Sequence, residues 1–408
     1  MFLPLFFTTI PFVLSAPLAP TASSSPIAAA WYPGWLGNQS PPANISWSKY
    51  DLMAFAFAVT TPDASVISLD DISQKVLPTF VVEANDHGVM PILSIGGWTG
   101  SQYFSTAVST AANRTAFVKA SLNLATKYGV KGLDFDWEYP NKQGVGCNTI
   151  SPADSANFLL FLQALRAQAP PKFIITAAVG ITPWNGPNGT PLTDVSAFAK
   201  VLDHITIMGY DIWGSWSTGV GPNAPVEDSC AATQAGSDAS AVKAWTNAKF
   251  PANQIVLGVP SYAHSFFVTK ANALNSTGHL VAYPPFDASK QPHGDKNDAA
   301  AGLDQCGAHV GIGGIFNFWG LIDGGFLNGD GTPAPGIDYR FDECSQTPFV
   351  YNSNTQVMIS YDNAQSFAAK GNFINNKKLR GYFMWNSVGD YNDILVDSIN
   401  GALGIEKC

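Results

Sequence analysis

Residues 133–139 read Leu-Asp-Phe-Asp-Trp-Glu-Tyr, which sets three acids at alternate positions between large apolar side chains. On a β-strand alternate side chains share a face, so Asp134, Asp136 and Glu138 would line one side, each about 6–7 Å along the strand from the next. Phe135 and Trp137 would point the other way, into packing. Like charges this close raise one another's pKa, which suits a site needing a protonated acid beside an ionised one. A calcium site or a solvated acidic edge strand is the competing reading. Calcium loops favour Gly, Asn and carbonyl ligands on flexible turns rather than aromatics alternating along a strand, so acid–base chemistry is preferred.

Such a strand needs a scaffold to present it. Short runs rich in β-branched and aromatic residues fall at 28–32, 52–58, 90–94, 132–138, 173–179, 204–210, 255–259 and 381–385. Between them lie amphipathic, helix-like stretches at 71–87, 114–128, 152–168, 194–202, 238–249 and 362–375. Strands alternating with helices imply right-handed βαβ units and a parallel sheet. The expected fold is therefore α/β, a (β/α)8 TIM barrel, with a doubly wound open sheet as the competitor. Barrel chemistry sits at the C-terminal ends of the strands, and Glu138 ends its expected strand.

One gap breaks the spacing. Residues 263–360, rich in Gly, Asp and Pro, follow the seventh strand, and a structureless loop of that length is improbable inside a compact domain. A small α+β domain inserted between strand 7 and helix 7 is expected there, leaving 27–262 and 361–408 to the barrel.

Composition narrows the class of function. The 408 residues carry only 12% charged side chains and a net charge of −9, with no basic run to neutralise phosphates, which argues against a nucleic-acid partner. Eleven Trp exceed what a core needs and suit stacking on the apolar faces of sugar rings. Residues 1–15 read as a secretory signal, apolar and without an acid, too short and proline-broken to span a bilayer. Residues 16–26 form a Pro/Ala/Ser-rich segment. A secreted, extracellular monomer with no membrane association is expected. Sequons at Asn38, Asn44, Asn113, Asn188 and Asn275 agree with that route.

The five cysteines suit an oxidising compartment; Cys147–Cys230 and Cys306–Cys344 are the expected pairs, with Cys408 free. No CxxC or HxxxH spacing occurs, so neither metal nor cofactor is expected, and His87, His204 and His264 read as satisfied single histidines.

Four segments together resemble one family. Gly132-Leu-Asp-Phe-Asp-Trp-Glu-Tyr-Pro140 is similar to the Asp-Gly-x-Asp-x-Asp-x-Glu signature of glycoside hydrolase family 18 chitinases. Ser94-Ile-Gly-Gly97 resembles the family's Ser-x-Gly-Gly, Met208-Gly-Tyr-Asp211 its Met-x-Tyr-Asp, and Gly381-Tyr-Phe-Met-Trp385 its eighth-strand motif. All four fall in order on expected strands, and the resemblance spans residues 28–400. Two positions depart: Lys131 replaces the signature's leading Asp, and Tyr262-Ala263-His264 stands where Tyr-Gly-Arg is often found. The second puts in doubt any contact carried over from that Arg.

The resemblance implies substrate-assisted, retaining hydrolysis of β-1,4-N-acetylglucosamine linkages in chitin or chitooligosaccharides. Glu138 would be the general acid, and the sugar's own N-acetyl carbonyl the nucleophile, giving an oxazolinium ion. Asp136 would bond the acetamido N–H, Asp134 would share a proton with Asp136, and Tyr210 would hold the acetamido oxygen. Trp385 would floor the reacting sugar, Asp211 bond sugar or acid, and Trp98 stack on the leaving side. Tyr139, Met208, Tyr32 and Tyr262, with Trp31, Trp213 and Trp216, are candidates to line the groove. Ser94, Gly96 and Gly97 would shape the barrel and support Asp134. The inserted domain would deepen one wall, favouring several bound sugars and processive or exo action. An endo-β-N-acetylglucosaminidase on N-glycans is the alternative enzyme. A non-catalytic chitin-binding lectin is the alternative class, disfavoured by the presence of Glu138.

Overall fold

A computed structural model of the protein describes residues 25–406. The expected signal segment, most of the Pro/Ala/Ser stretch and Cys408 lie outside the described residues. Strands Ile27–Pro33, Leu52–Thr60, Met90–Gly96, Gly132–Asp136, Ile174–Val179, His204–Ile207, Ile255–Pro260 and Gly381–Trp385 run parallel, each paired to the next. The first also pairs with the last, Ala28 opposite Tyr382, so the sheet closes into a barrel rather than staying open.

Alternation along these strands divides the core in two. Ala29, Trp31, Ala54, Ala56, Ile92, Ala178, Val256 and Phe383 fill the barrel interior, small residues on some strands making room for Trp31 and Phe383 on others. Their neighbours Ala28, Ala30, Met53, Phe55, Leu93, Leu133 and Phe135 face outward against the helices. Fully burying a side chain of the larger kind contributes about 1.5–3 kcal/mol. This alternation corrects the expectation for Tyr32. With Trp31 pointing inward, Tyr32 must point outward; it is fully buried, stacks on Phe80 at 5.4 Å and donates to the Ser40 carbonyl at 2.7 Å, away from any groove.

The helical layer follows from capping and spacing. Helix Asp71–Asp86 starts where the Asp70 carboxylate accepts from the amides of Ile72 and Ser73, and it buries Leu77, Phe80, Val81 and Ala84 along one stripe. Helix Ala364–Lys377 opens with a reciprocal cap between Asn363 and Ser366. The helix expected over 194–202 shrinks to one turn, Ser196–Ala199. There the Leu202 amide still donates to Phe198 O at 2.9 Å, and the Gln254 amide takes up the carbonyls of Ala199 and Leu202 beyond the turn.

The stretch after the seventh barrel strand folds as a five-stranded antiparallel sheet. Its order is Ile315–Asn317, Tyr262–Phe267, Val357–Ser360, Thr347–Asn352 and Asp338–Asp342, with short helices Lys270–Ala273 and Phe318–Asp323. Phe266, Phe349, Tyr351 and Met358 form its own apolar centre. A separate two-stranded ribbon, Gly302–Leu303 against His309–Val310, projects from it.

The disulfides differ from expectation. Cys147 pairs with Cys306 and Cys230 with Cys344, each bond joining a barrel loop to the inserted segment. Pairing neighbours in sequence assumed local closure, whereas the inserted chain folds back over the barrel and carries its two cysteines to loops after the fourth and sixth strands. Among the described residues no helix is long and apolar enough to cross a membrane.

Candidate active site at the barrel mouth

The fourth strand ends at Asp136, two residues before Glu138, because its partner on the third strand stops at Gly96, opposite Asp136. Past that point Glu138 is held by side chains: its amide donates to Ser101 Oγ at 3.0 Å and its carbonyl accepts from Asn148 Nδ2 at 2.8 Å. Gly96 is required here. Its φ is +116°, and a Cβ on it would lie 2.0 Å from the Asp136 carbonyl oxygen. The Glu138–Tyr139 and Trp385–Asn386 peptide bonds are cis.

The three acids sit in graded surroundings. Asp134, fully buried, accepts from Ser94 Oγ at 2.7 Å, Thr176 Oγ1 at 2.7 Å and Trp31 Nε1 at 3.2 Å. Burial still lifts its carboxyl above the usual range, against those three bonds. Asp136 is also buried, and its Oδ1 has no hydrogen-bond partner. Burial first, then the charges of Glu138 and Asp134, push it well above an ordinary Asp. Glu138, 9% exposed, is pushed up to about 7, mainly by burial; a hydrogen bond from Tyr139 opposes the shift and the Asp211 charge adds to it. Buried acids kept protonated near neutral pH are suited to donate a proton.

Strand ends around the mouth bring the other candidates in. Met208, Tyr210 and Asp211 follow the sixth strand, and Trp385 closes the eighth. Asp211 takes φ +57°, with its amide donating to Asn223 Oδ1 at 2.9 Å. Its Oδ1 accepts from Tyr262 Oη at 2.7 Å and lies 2.7 Å from His264 Nε2. His264 is thus no isolated histidine: it occupies the Asp211 carboxylate from the first inserted strand. Trp385 stacks on Phe57 at 5.4 Å and meets Trp31 edge-on at 5.9 Å.

Two hollows flank Glu138. One, of about 510 Å³, is lined by Trp31, Trp35, Phe57, Trp98, Asp136 and Trp385; the other, of about 250 Å³, by Tyr139, Lys142, Ile181, Trp184 and Asn185. Glu138, Met208, Tyr210 and Asp211 face both. Trp98 is half exposed, as a platform for a ligand would be. Tyr262 reaches the site through Asp211, and Trp216, the most exposed indole, stands edge-on to His264 at 5.2 Å. Sequence reasoning missed Trp35, Phe57, Ser101, Thr176 and Asn223. Trp35 follows directly on the first barrel strand, so position at a strand's C-terminal end was the available signal. Among the described residues no group of three or more His, Cys, Asp or Glu is placed to hold a metal ion.

A closed (β/α)8 barrel with a buried acid triad and an aromatic cleft at its C-terminal mouth is an architecture of barrel glycoside hydrolases. The chain belongs to the glycosyl hydrolases family 18, whose sequence model matches residues 29–390. It is 51% identical over 392 residues to a chitinase-like effector of Moniliophthora roreri, covering 95% of both chains. It is 49% identical over 391 residues to a chitinase-like effector of Moniliophthora perniciosa, covering 95% of this chain and 89% of that one. Among solved structures, a chitinase of Rhizomucor miehei superposes with a TM-score of 0.83 at 32% identity, covering 92% of this chain and 99% of the other.

Proposed function

We propose that the protein is a secreted chitinase that hydrolyses β-1,4 bonds between N-acetylglucosamine units with the substrate's acetamide as nucleophile. The observation that carries this reading is the pairing of a protonatable Glu138 with an Asp136 whose Oδ1 is free to take a ligand's hydrogen bond. Glu138 gives its proton to the glycosidic oxygen as the C1–O bond breaks. The acetamide carbonyl oxygen forms the new bond to C1, and the charge spreads into an oxazolinium ion. Asp136, raised further than Asp134, carries the pair's proton at rest; as that proton passes to Asp134, Asp136 accepts the acetamido N–H and its charge offsets the oxazolinium. Tyr210 donates to the acetamide oxygen, and Trp385 packs under the pyranose ring. Water then attacks C1, its proton returns to Glu138, and the configuration is retained.

A second reading is favoured by the two relatives called chitinase-like effectors: a protein that binds chitin fragments without cutting them. Release of a fluorophore from a chitotriose glycoside, lost in Glu138→Gln, supports hydrolysis. Tight oligosaccharide binding by the unaltered protein with no release supports the binding reading instead. Release of intact N-glycans would move the substrate to the endo-β-N-acetylglucosaminidase class.

A further inference from the structure

Helix Asp238–Asn247 lies between the sixth and seventh barrel strands, and its first residue turns an acid into the protein. The Asp238 side chain is fully buried, and among the described residues neither carboxyl oxygen has a hydrogen-bond partner. A buried polar group left unbonded costs stability, so its place in the fold needs another reason. An ion pair is not that reason. Lys370, on helix Ala364–Lys377, is itself fully buried and donates to the Asp362 carboxylate. Burial pushes the Asp238 carboxyl well above an ordinary Asp, with the Lys370 charge opposing and the Asp362 charge adding to the shift. Asp238 thus stands uncharged beside an ion pair already made.

Steric contact supplies the reason. A Cβ on Gly209 would lie 2.2 Å from Asp238 Oδ1, and beyond that carboxyl the nearest atom it would meet is the Gly258 carbonyl oxygen at 3.5 Å. The φ of Gly209 lies outside the left-handed region, so backbone conformation does not call for glycine there; the carboxyl does. Gly209 stands between Met208 and Tyr210, which face both hollows beside Glu138, whereas Asp238 lines neither. The Tyr210 ring is bounded on other sides: a Cβ on Gly258 would come within 3.0 Å of its Cε1, and Tyr262 meets it edge-on at 5.9 Å. Asp238 backs the turn that carries the ring.

We propose that Asp238 is a positioning residue: its side chain fills the space behind Gly209 and so fixes the direction in which Tyr210 presents its hydroxyl to the substrate's acetamide. The role belongs to the shape of the side chain at this point and needs no contact with the sugar. Misplacing a group at the reacting centre by about 1 Å costs about 10²-fold in rate, so a loosened Gly209 turn is enough to matter. This inference rests on the reading of Tyr210 as the acetamide's hydrogen-bond donor given above.

The test reads kcat/KM for fluorophore release from a chitotriose glycoside, with thermal unfolding of each variant alongside. Asp238→Ala and Gly209→Ala should each lower kcat/KM at least ~10-fold, the first by emptying the space and the second by pressing into it. The double variant should recover to within ~3-fold of the unaltered protein, because the new methyl takes the room the carboxyl leaves. Asp238→Asn, of the same shape, should retain activity. On a Tyr210→Phe background Asp238→Ala should cost less than ~2-fold more, whereas a purely structural residue would lower activity as much with Tyr210 as without it. Should Asp238→Ala fail to fold, Gly209→Ala against the double variant makes the same comparison. The proposal is overturned by full activity in both single variants, by no recovery in the double, or by an Asp238→Asn loss equal to that of Asp238→Ala. A full further loss on the Tyr210→Phe background overturns it too. No release by the unaltered protein overturns the hydrolysis reading alone, and the same pattern read as chitotriose affinity then decides the role of Asp238. No chitotriose binding overturns both.

Discussion

Asp134 and Asp136 share the inner face of one strand, yet Asp134 has its carboxylate occupied by three hydrogen bonds while Asp136 Oδ1 has none. The two positions therefore divide their work. The deeper acid is anchored to the barrel wall through Ser94, Thr176 and Trp31; the outer one keeps its bonding capacity for whatever enters the cleft, next to Glu138.

If Glu138 is the proton donor, Glu138→Gln keeps its shape and loses the proton. Fluorophore release from a chitotriose glycoside should fall by about 10²–10⁴-fold in kcat. The affinity for chitotriose, measured by titration calorimetry, should stay within a few-fold of the unaltered protein.

The Glu138 carboxyl at about 7 sets the alkaline limb of the rate profile. As pH rises through that value the acid of the free protein loses its proton, so kcat/KM should decline roughly tenfold per further pH unit. The Asp211 charge adds to the upward shift after burial, so Asp211→Asn should move this limb to lower pH whatever it does to the maximum rate. A series of kcat/KM against pH on both proteins reads it.

Stability should respond to pH through the same group. Its folded value, about 7, lies above the unfolded value of 4.5, so the fold binds this proton more tightly. The contribution is fully present below pH 4.5 and is lost as pH rises to about 7. Glu138→Gln cannot ionise, so its stability relative to the unaltered protein should be about 1–3 kcal/mol greater at pH 8 than at pH 4. Urea unfolding at the two pH values measures it.

Trp385 is held by Phe57 and Trp31 with part of its surface open to the larger hollow. Trp385→Ala should raise KM for short oligosaccharides by about tenfold through lost ring packing, leaving the pH profile in place. A shifted profile would mean that the indole instead tunes the acids.

Much of the fold was legible because every barrel strand is an apolar run bounded by turn residues, and because helix and strand periods alternate cleanly. The acid triad was legible for the same reason: Asp134 and Asp136 face inward only if Leu133, Phe135 and Trp137 face out. That rule, applied to Trp31 and Tyr32, would have removed Tyr32 from the groove. Glu138 shows the limit of a strand reading, since pairing stops with Gly96 and side chains from Ser101 and Asn148 take over. His264 could not be paired with Asp211 in advance, because the contact depends on a strand that belongs to the inserted sheet. The disulfides were illegible for a related reason. Cys306 meets Cys147 only because a ribbon of the inserted segment returns to the loop after the fourth strand, and nothing local to either cysteine encodes that path.

The central claim is that the substrate supplies the nucleophile. The most direct measurement compares hydrolysis of a chitotriose glycoside with that of the same glycoside carrying a free amine in place of the acetamide on the reacting sugar, both at saturating concentration. The account predicts turnover of the acetylated compound with retained configuration, and loss of turnover for the amine compound with binding still detectable. Comparable turnover of the two, or product of inverted configuration, would contradict it.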